Sequence, residues 1–168
     1  AAPPQSRRIR LSTPSAEARL LTVTVRVQAP GGAVRLRAML DTGSEVDCVS
    51  PGAATTLQEH GISLDDLGVS ELQVLGGGTT KCRGSMQLEC AVASRDARKA
   101  QNTKNDEGIA IPRRLLFGIR ARVVECPEEI LIGLPTLRST GLLAAVLDGG
   151  STPPENPEAI YEEDPEGA

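Results

Sequence analysis

The amino-acid sequence predicts a mostly β domain with one or two short helices. Three observations lead to this prediction. Apolar and polar residues alternate along several short runs, which is typical of half-buried strands. Turns rich in glycine and proline separate those runs. The chain of 168 residues can bury one core without disulfides or metals, and its two aromatic residues, Phe117 and Tyr161, imply that this core is aliphatic.

The first half of the chain predicts two hairpins around one helix. Residues 21–28 and 34–40 alternate with a period of two on either side of a Pro-Gly-Gly turn, and the second run leads into Asp41. A helix is predicted over Pro51–His60, because a serine precedes it as an N-cap and a glycine follows it. The alternating residues of 69–93, interrupted by three glycines, predict a long hairpin with a flexible tip.

The second half predicts further strands after a polar segment. Residues 94–109 are rich in charge and predict a surface insertion. The alternating run 115–123 and the apolar run 130–132 predict two strands. A short helix is expected over 135–141, and the apolar run 142–147 is expected to form the last strand.

Charge and composition divide the chain into a domain at 20–148 and two tails. The formal net charge is −4, but residues 1–19 carry four arginines against one glutamate, whereas residues 149–168 carry six acidic residues and no basic one. We expect a flexible basic N-terminal tail and a disordered acidic C-terminal tail. The near-neutral domain and the shortage of aromatic residues argue against a nucleic-acid partner.

The cysteines and the single histidine limit the possible chemistry. None of the four cysteines belongs to a C-x-x-C pair, so the common zinc and redox spacings are absent, and one histidine excludes a multi-histidine metal site. No metal or other cofactor is therefore expected. The first residues lack an apolar signal-peptide core, and the run 142–147 is too short to cross a bilayer. These features predict an intracellular, cytoplasmic protein with free thiols and no membrane association.

The sharpest motif is Asp41-Thr42-Gly43-Ser44, directly after a predicted strand. It places a carboxylate at the end of a rigid strand, where the glycine lets the backbone turn sharply and approach the acid. The serine hydroxyl is able to donate a hydrogen bond to the carboxylate. On its own, the motif is equally consistent with an ordinary Asp-Gly-type turn after a strand.

Two later segments favour a functional role for this motif over an ordinary turn. A glycine-tipped hairpin lies between it and the apolar run Leu131-Ile132-Gly133, which comes about 90 residues downstream of the aspartate. In this order and spacing, residues 20–148 resemble the retropepsin family of aspartic proteases. That family includes retroviral and retrotransposon proteases and the DNA-damage-inducible ubiquitin-shuttle proteases.

The resemblance implies a retropepsin-like closed barrel or sandwich of short antiparallel strands, with a flap hairpin, in a homodimer. It implies that Asp41 is the catalytic residue, one per subunit. Thr42 would hydrogen-bond across the dimer axis, Gly43 would keep the backbone close to the two carboxylates, and Ser44 would support the outer carboxylate oxygen. The flap tip over the substrate would consist of Gly76, Gly77, Gly78 and Thr79. The strand that supports the active site would consist of Leu131, Ile132 and Gly133.

The implied function is peptide-bond hydrolysis by a homodimeric aspartic endopeptidase, in the processing of a retroelement polyprotein. The partners would be a second copy of the chain and an extended peptide or polyprotein substrate. One alternative is a catalytically silent retropepsin-like module for dimerisation or peptide binding, because fold does not guarantee activity. Another is a polyprotein linker domain that acts through its acidic tail. Deleting residues 149–168 would abolish function in that case, whereas the protease hypothesis predicts a mild effect.

Overall fold

The computed structural model describes residues 8–9, 21–66, 70–74, 78–93, 113–148 and 159–165. In these ranges the chain is mostly β, as predicted. The strands are β1 (Arg8–Ile9), β2 (Leu21–Gln28), β3 (Val34–Asp41), β4 (Asp47–Val49), β5 (Ser70–Val74), β6 (Thr79–Cys82), β7 (Ser85–Ala93), β8 (Arg113–Val123), β9 (Ile130–Gly133) and β10 (Ile160–Glu163). The helices are α1 (Pro51–Glu59), α2 (Leu134–Thr140) and α3 (Leu142–Asp148).

Six strands close into a barrel. Their order is β8-β4-β9-β3-β2-β7, and β7 pairs back onto β8. The predicted closed barrel is therefore confirmed. The prediction of antiparallel strands holds in part, because β3 pairs with β9 in parallel and β4 pairs with β8 in parallel. The parallel β3–β9 pair places the end of β3 and the end of β9 at the same edge of the barrel.

The barrel core is aliphatic, with one aromatic side chain among the described core residues. Val25 and Val27 on β2, Leu36 on β3 and Leu88 on β7 turn inward, as their alternation with polar neighbours predicts. Phe117 on β8 is almost fully buried among them.

A second, smaller hydrophobic cluster lies against another part of the barrel. It consists of Met39, Val46, Cys48, Leu72, Cys82, Val124 and Leu131. Leu72 and Cys82 belong to the β5–β6 hairpin, and the other members belong to the barrel strands and their loops. The cluster therefore anchors the base of that hairpin to the strands that flank Asp41.

Helix α1 begins and ends where the sequence predicts. The hydroxyl of Ser50 accepts a hydrogen bond from the backbone N–H of Ala53 at 3.2 Å, and Pro51 occupies the first turn. The helix ends before Gly61, whose φ of 97° is costly for any residue with a side chain.

Residues 142–147, predicted to be the last strand, instead belong to helix α3. An apolar run of six residues does not distinguish a strand from one and a half turns of a buried helix. Gly141, with φ of 67°, ends α2, and its carbonyl accepts from the N–H of Ala145 at 2.9 Å. Leu142 and Ala145 then pack into the barrel core.

The segment 69–93 is also different from its prediction as one long hairpin. Strands β5 and β6 form a short hairpin of their own, and β7 enters the barrel between β2 and β8. The strand is interrupted between β6 and β7 at Gly84. Its φ is 152°, and a Cβ atom there would lie only 2.5 Å from the carbonyl oxygen of Asp65. Only glycine fits this position without a shift of the neighbouring backbone.

Part of the predicted acidic tail is ordered, which corrects the prediction of a disordered segment for residues 159–165. Strand β10 pairs antiparallel with β8, and Ala159 is buried in the barrel core. The guanidinium of Arg26 donates to the carboxylate of Asp164 at 2.7 Å, and Arg114 bonds Glu162. The charge of this segment predicted that its acidic side chains would be solvated. Two arginines of the barrel instead bind Glu162 and Asp164.

The rest of both tails and the polar insertion lie outside the described residues, except for Arg8–Ile9, which pairs in parallel with β5. Among the helices that the structure describes, none has the length and apolar character needed to cross a membrane.

Candidate active site

Asp41 is the last residue of β3 and lies opposite Gly133 of β9 in the parallel register. Its side chain is buried, with 4% of the residue exposed. The backbone N–H of Gly43 donates to its Oδ1 atom at 2.8 Å, which closes a tight turn around the carboxylate. The strand and this turn together fix the carboxylate at one edge of the barrel.

The loop between β3 and β4, residues 42–46, is called the active-site loop below. Thr42 is exposed at its start, while Ser44 is fully buried. The predicted bond from the Ser44 hydroxyl to the Asp41 carboxylate is replaced by another: this hydroxyl donates to the carbonyl of Val46 at 2.7 Å. Because a hydroxyl has one proton, Ser44 does not donate to Asp41 at the same time. Its bond to Val46 instead holds the shape of the loop.

Strand β9, which contains Leu131, Ile132 and Gly133, lies against the active-site loop. All three are buried. The N–H of Leu134 donates to the carbonyl of Ser44 at 2.8 Å. A Cβ atom on Gly133 would lie 2.8 Å from that carbonyl oxygen and 2.7 Å from the carbonyl oxygen of Val46. The loop therefore packs directly on the backbone of Gly133.

Replacing Gly133 with alanine is expected to destabilise the fold. The added methyl group meets two backbone oxygens that are both held by hydrogen bonds or strand pairing, so we expect a loss of about 1–3 kcal/mol in the free energy of unfolding. Urea denaturation measures it. Gly52→Ala is the matched control, because a Cβ atom there meets nothing within 4 Å. Equal midpoints for the two variants would contradict the close approach at Gly133.

Asp47, which follows the active-site loop on β4, was not predicted from the sequence as a site residue. Its Oδ1 atom accepts from the N–H of Gly133 at 2.8 Å, and its Oδ2 atom accepts from the hydroxyl of Thr136 at 2.5 Å. Burial raises the pKa of the Asp47 carboxyl, and the bonds from Thr136 and Gly133 oppose that rise. No local motif marks this residue, because its partners are nearly 90 positions away.

The β5–β6 hairpin contains part of the predicted flap. Gln73 pairs with Thr79, and both Gly78 and Thr79 are exposed. Gly76 and Gly77, predicted for the tip, lie outside the described residues. The described base of the hairpin is joined to the barrel by the cluster that includes Leu72 and Cys82.

Three of the four thiols are poor candidates for a nucleophile. Burial raises the pKa of Cys48 and of Cys90 far above the usual range, and it raises the pKa of Cys126 to about 12. A thiol that stays protonated at neutral pH is a weak nucleophile. Of the groups that the structure describes in this region, the carboxylate of Asp41 is thus the better candidate for chemistry.

The chain matches no protein-family model and no curated protein.

Proposed function

We propose that the protein is an aspartic endopeptidase that acts as a homodimer. The observation that carries the proposal is the placement of Asp41: a buried carboxylate at the end of a barrel strand, held by the N–H of Gly43 beside an exposed Thr42. A two-fold axis at this edge would bring the Asp41 side chains of two copies together. Thr42, exposed in one subunit, is then available to contact the other.

Two carboxylates that lie side by side do not both ionise, because the second negative charge is repelled by the first. The pair therefore shares one proton. The ionised carboxylate takes a proton from a water molecule, whose oxygen attacks the scissile carbonyl carbon. The protonated carboxyl polarises the carbonyl oxygen, and a proton then passes to the leaving amine nitrogen as the C–N bond breaks.

The substrate would be an extended peptide, bound as a strand between the β5–β6 hairpin and the two aspartates. Backbone hydrogen bonds would hold it, and alternate side chains would enter pockets. Because the chain is rich in aliphatic residues and almost lacks aromatic ones, we expect pockets that prefer apolar side chains at the scissile bond. A retroelement polyprotein is the proposed natural substrate.

A peptide library tests this proposal. We expect cleavage between apolar residues and inhibition by a statine-containing peptide, which mimics the tetrahedral intermediate. Cleavage that the statine peptide leaves unchanged would contradict the aspartic mechanism. A protein that dimerises but cleaves nothing would favour the catalytically silent module.

Specific activity is expected to fall on dilution, because each active site needs two subunits. Below the dimer dissociation constant, the rate per subunit should decrease in proportion to concentration. Light scattering over the same range should show the dimer dissociate in parallel. A monomer at every concentration with constant specific activity would contradict the homodimer.

A further inference from the structure

Asp47 is a second carboxylate beside the active-site loop, and both of its oxygens accept hydrogen bonds, from the N–H of Gly133 and the hydroxyl of Thr136. We propose that Asp47 is a positioning residue, which clamps the end of the active-site loop to the start of α2 and thereby fixes Asp41 for catalysis. This inference rests on the proposed aspartic endopeptidase function.

The clamp and the catalytic position meet at one residue, Gly133. Its Cα lies opposite Asp41 in the β3–β9 register, and its N–H is the donor to Asp47. The N–H of the next residue, Leu134, donates to the carbonyl of Ser44. The loop is thus held at its beginning by strand pairing, in its middle by Leu134 and at its end by Asp47.

Both oxygens of the Asp47 carboxylate are used. The two donors approach different oxygens, so the side chain must accept on both of its terminal atoms. An asparagine accepts on one atom and donates on the other.

Enzyme kinetics test the clamp in the full chain. Asp47→Ala and Thr136→Val each remove the bond between the two side chains. We expect each to lower kcat by about 10- to 100-fold, because small misplacements of a catalytic group have effects of this size. KM should stay within about twofold, since Asp47 and Thr136 bond other parts of the chain and are not proposed to touch substrate. Titrating the active sites with a tight-binding statine peptide removes any contribution from unfolded protein.

Two further variants separate positioning from general stabilisation. Thr136→Ser keeps the hydroxyl and should retain kcat within about threefold of the wild type, and the Asp47→Ala, Thr136→Val double variant should be no worse than the more severe single variant. Ser139→Ala is the matched control: this hydroxyl lies on the same helix and bonds the carbonyl of Thr136. Its kcat should be unchanged. Unchanged kcat in Thr136→Val after active-site titration would overturn the proposal.

A second measurement does not depend on activity. In amide NMR spectra, Thr136→Val should shift the resonances of Gly43 and Ser44, whereas Ser139→Ala should not. If those resonances stay in place in Thr136→Val, the clamp does not position Asp41 and the inference fails. If they shift but the wild type cleaves no peptide, the clamp stands and the endopeptidase function is what fails.

Discussion

Replacing Asp41 with asparagine is expected to lower peptide-bond hydrolysis by at least about 10³-fold, because an amide neither takes nor gives the proton that each step transfers. The fold should be retained. The side-chain oxygen of asparagine still accepts the bond from the N–H of Gly43, which the carboxylate accepts at 2.8 Å in the wild type. The measurements are kcat/KM on a cleaved library peptide and the urea midpoint of the same preparations.

Asp65→Asn is the matched control for this variant. Asp65 is an exposed aspartate whose carboxylate accepts from Arg120 at 2.8 Å on the surface. Exposed pairs contribute little, so kcat/KM should stay within about twofold of the wild type. Full activity in Asp41→Asn would contradict the catalytic role of Asp41, and an equal loss in both variants would show that the effect is not specific to it.

Replacing Asp164 with alanine is expected to lower the free energy of unfolding by about 3–5 kcal/mol, the usual cost of breaking a buried ion pair. Its carboxylate and the guanidinium of Arg26 lie 2.7 Å apart, and their side chains are only 3% and 7% exposed. Arg26 sits on barrel strand β2 between the buried residues Val25 and Val27. Loss of the pair should therefore weaken the barrel itself, and urea denaturation measures it.

Glu163→Ala, at the neighbouring position, is the control, because its side chain is exposed, and it should change the free energy of unfolding by no more than about 0.5 kcal/mol. Deleting residues 149–168 should be at least as harmful as Asp164→Ala, since it also removes buried Ala159. A mild effect of this deletion on function was expected from the sequence. The buried contacts of Ala159 and Asp164 now predict a loss of stability as well. Equal midpoints for Asp164→Ala and Glu163→Ala would contradict the structural role of β10.

Much of the fold follows from local patterns in the sequence. The alternation in residues 21–28 and 34–40 predicts β2 and β3, and Ser50-Pro51 predicts the start of α1, because each of these signals lies within the element that it specifies. The prediction fails at 142–147, where a short apolar run has no distinguishing period. It also fails at 159–165, where composition indicates a tail.

Long-range pairs explain what the sequence could not show. Arg26 looks like an ordinary polar residue of an alternating strand, and its partner Asp164 is 138 positions away. Asp47 belongs to no motif, and only the folded chain brings it to Gly133 and Thr136. The Asp41-Thr42-Gly43-Ser44 motif is different, because the turn around its carboxylate is made within three residues. The turn around Asp41 was therefore predictable, whereas the long-range partners of Asp47 and Arg26 were not.

Subunit mixing tests whether one active site uses Asp41 from two subunits. Wild-type protein is mixed with Asp41→Asn protein well above the dimer dissociation constant, and the subunits are allowed to exchange. If every site needs two aspartates, mixed dimers are inactive, so a threefold excess of the variant should reduce the wild-type activity to about one quarter. Activity that does not change with added Asp41→Asn protein would show that each wild-type subunit works alone, and it would contradict the account.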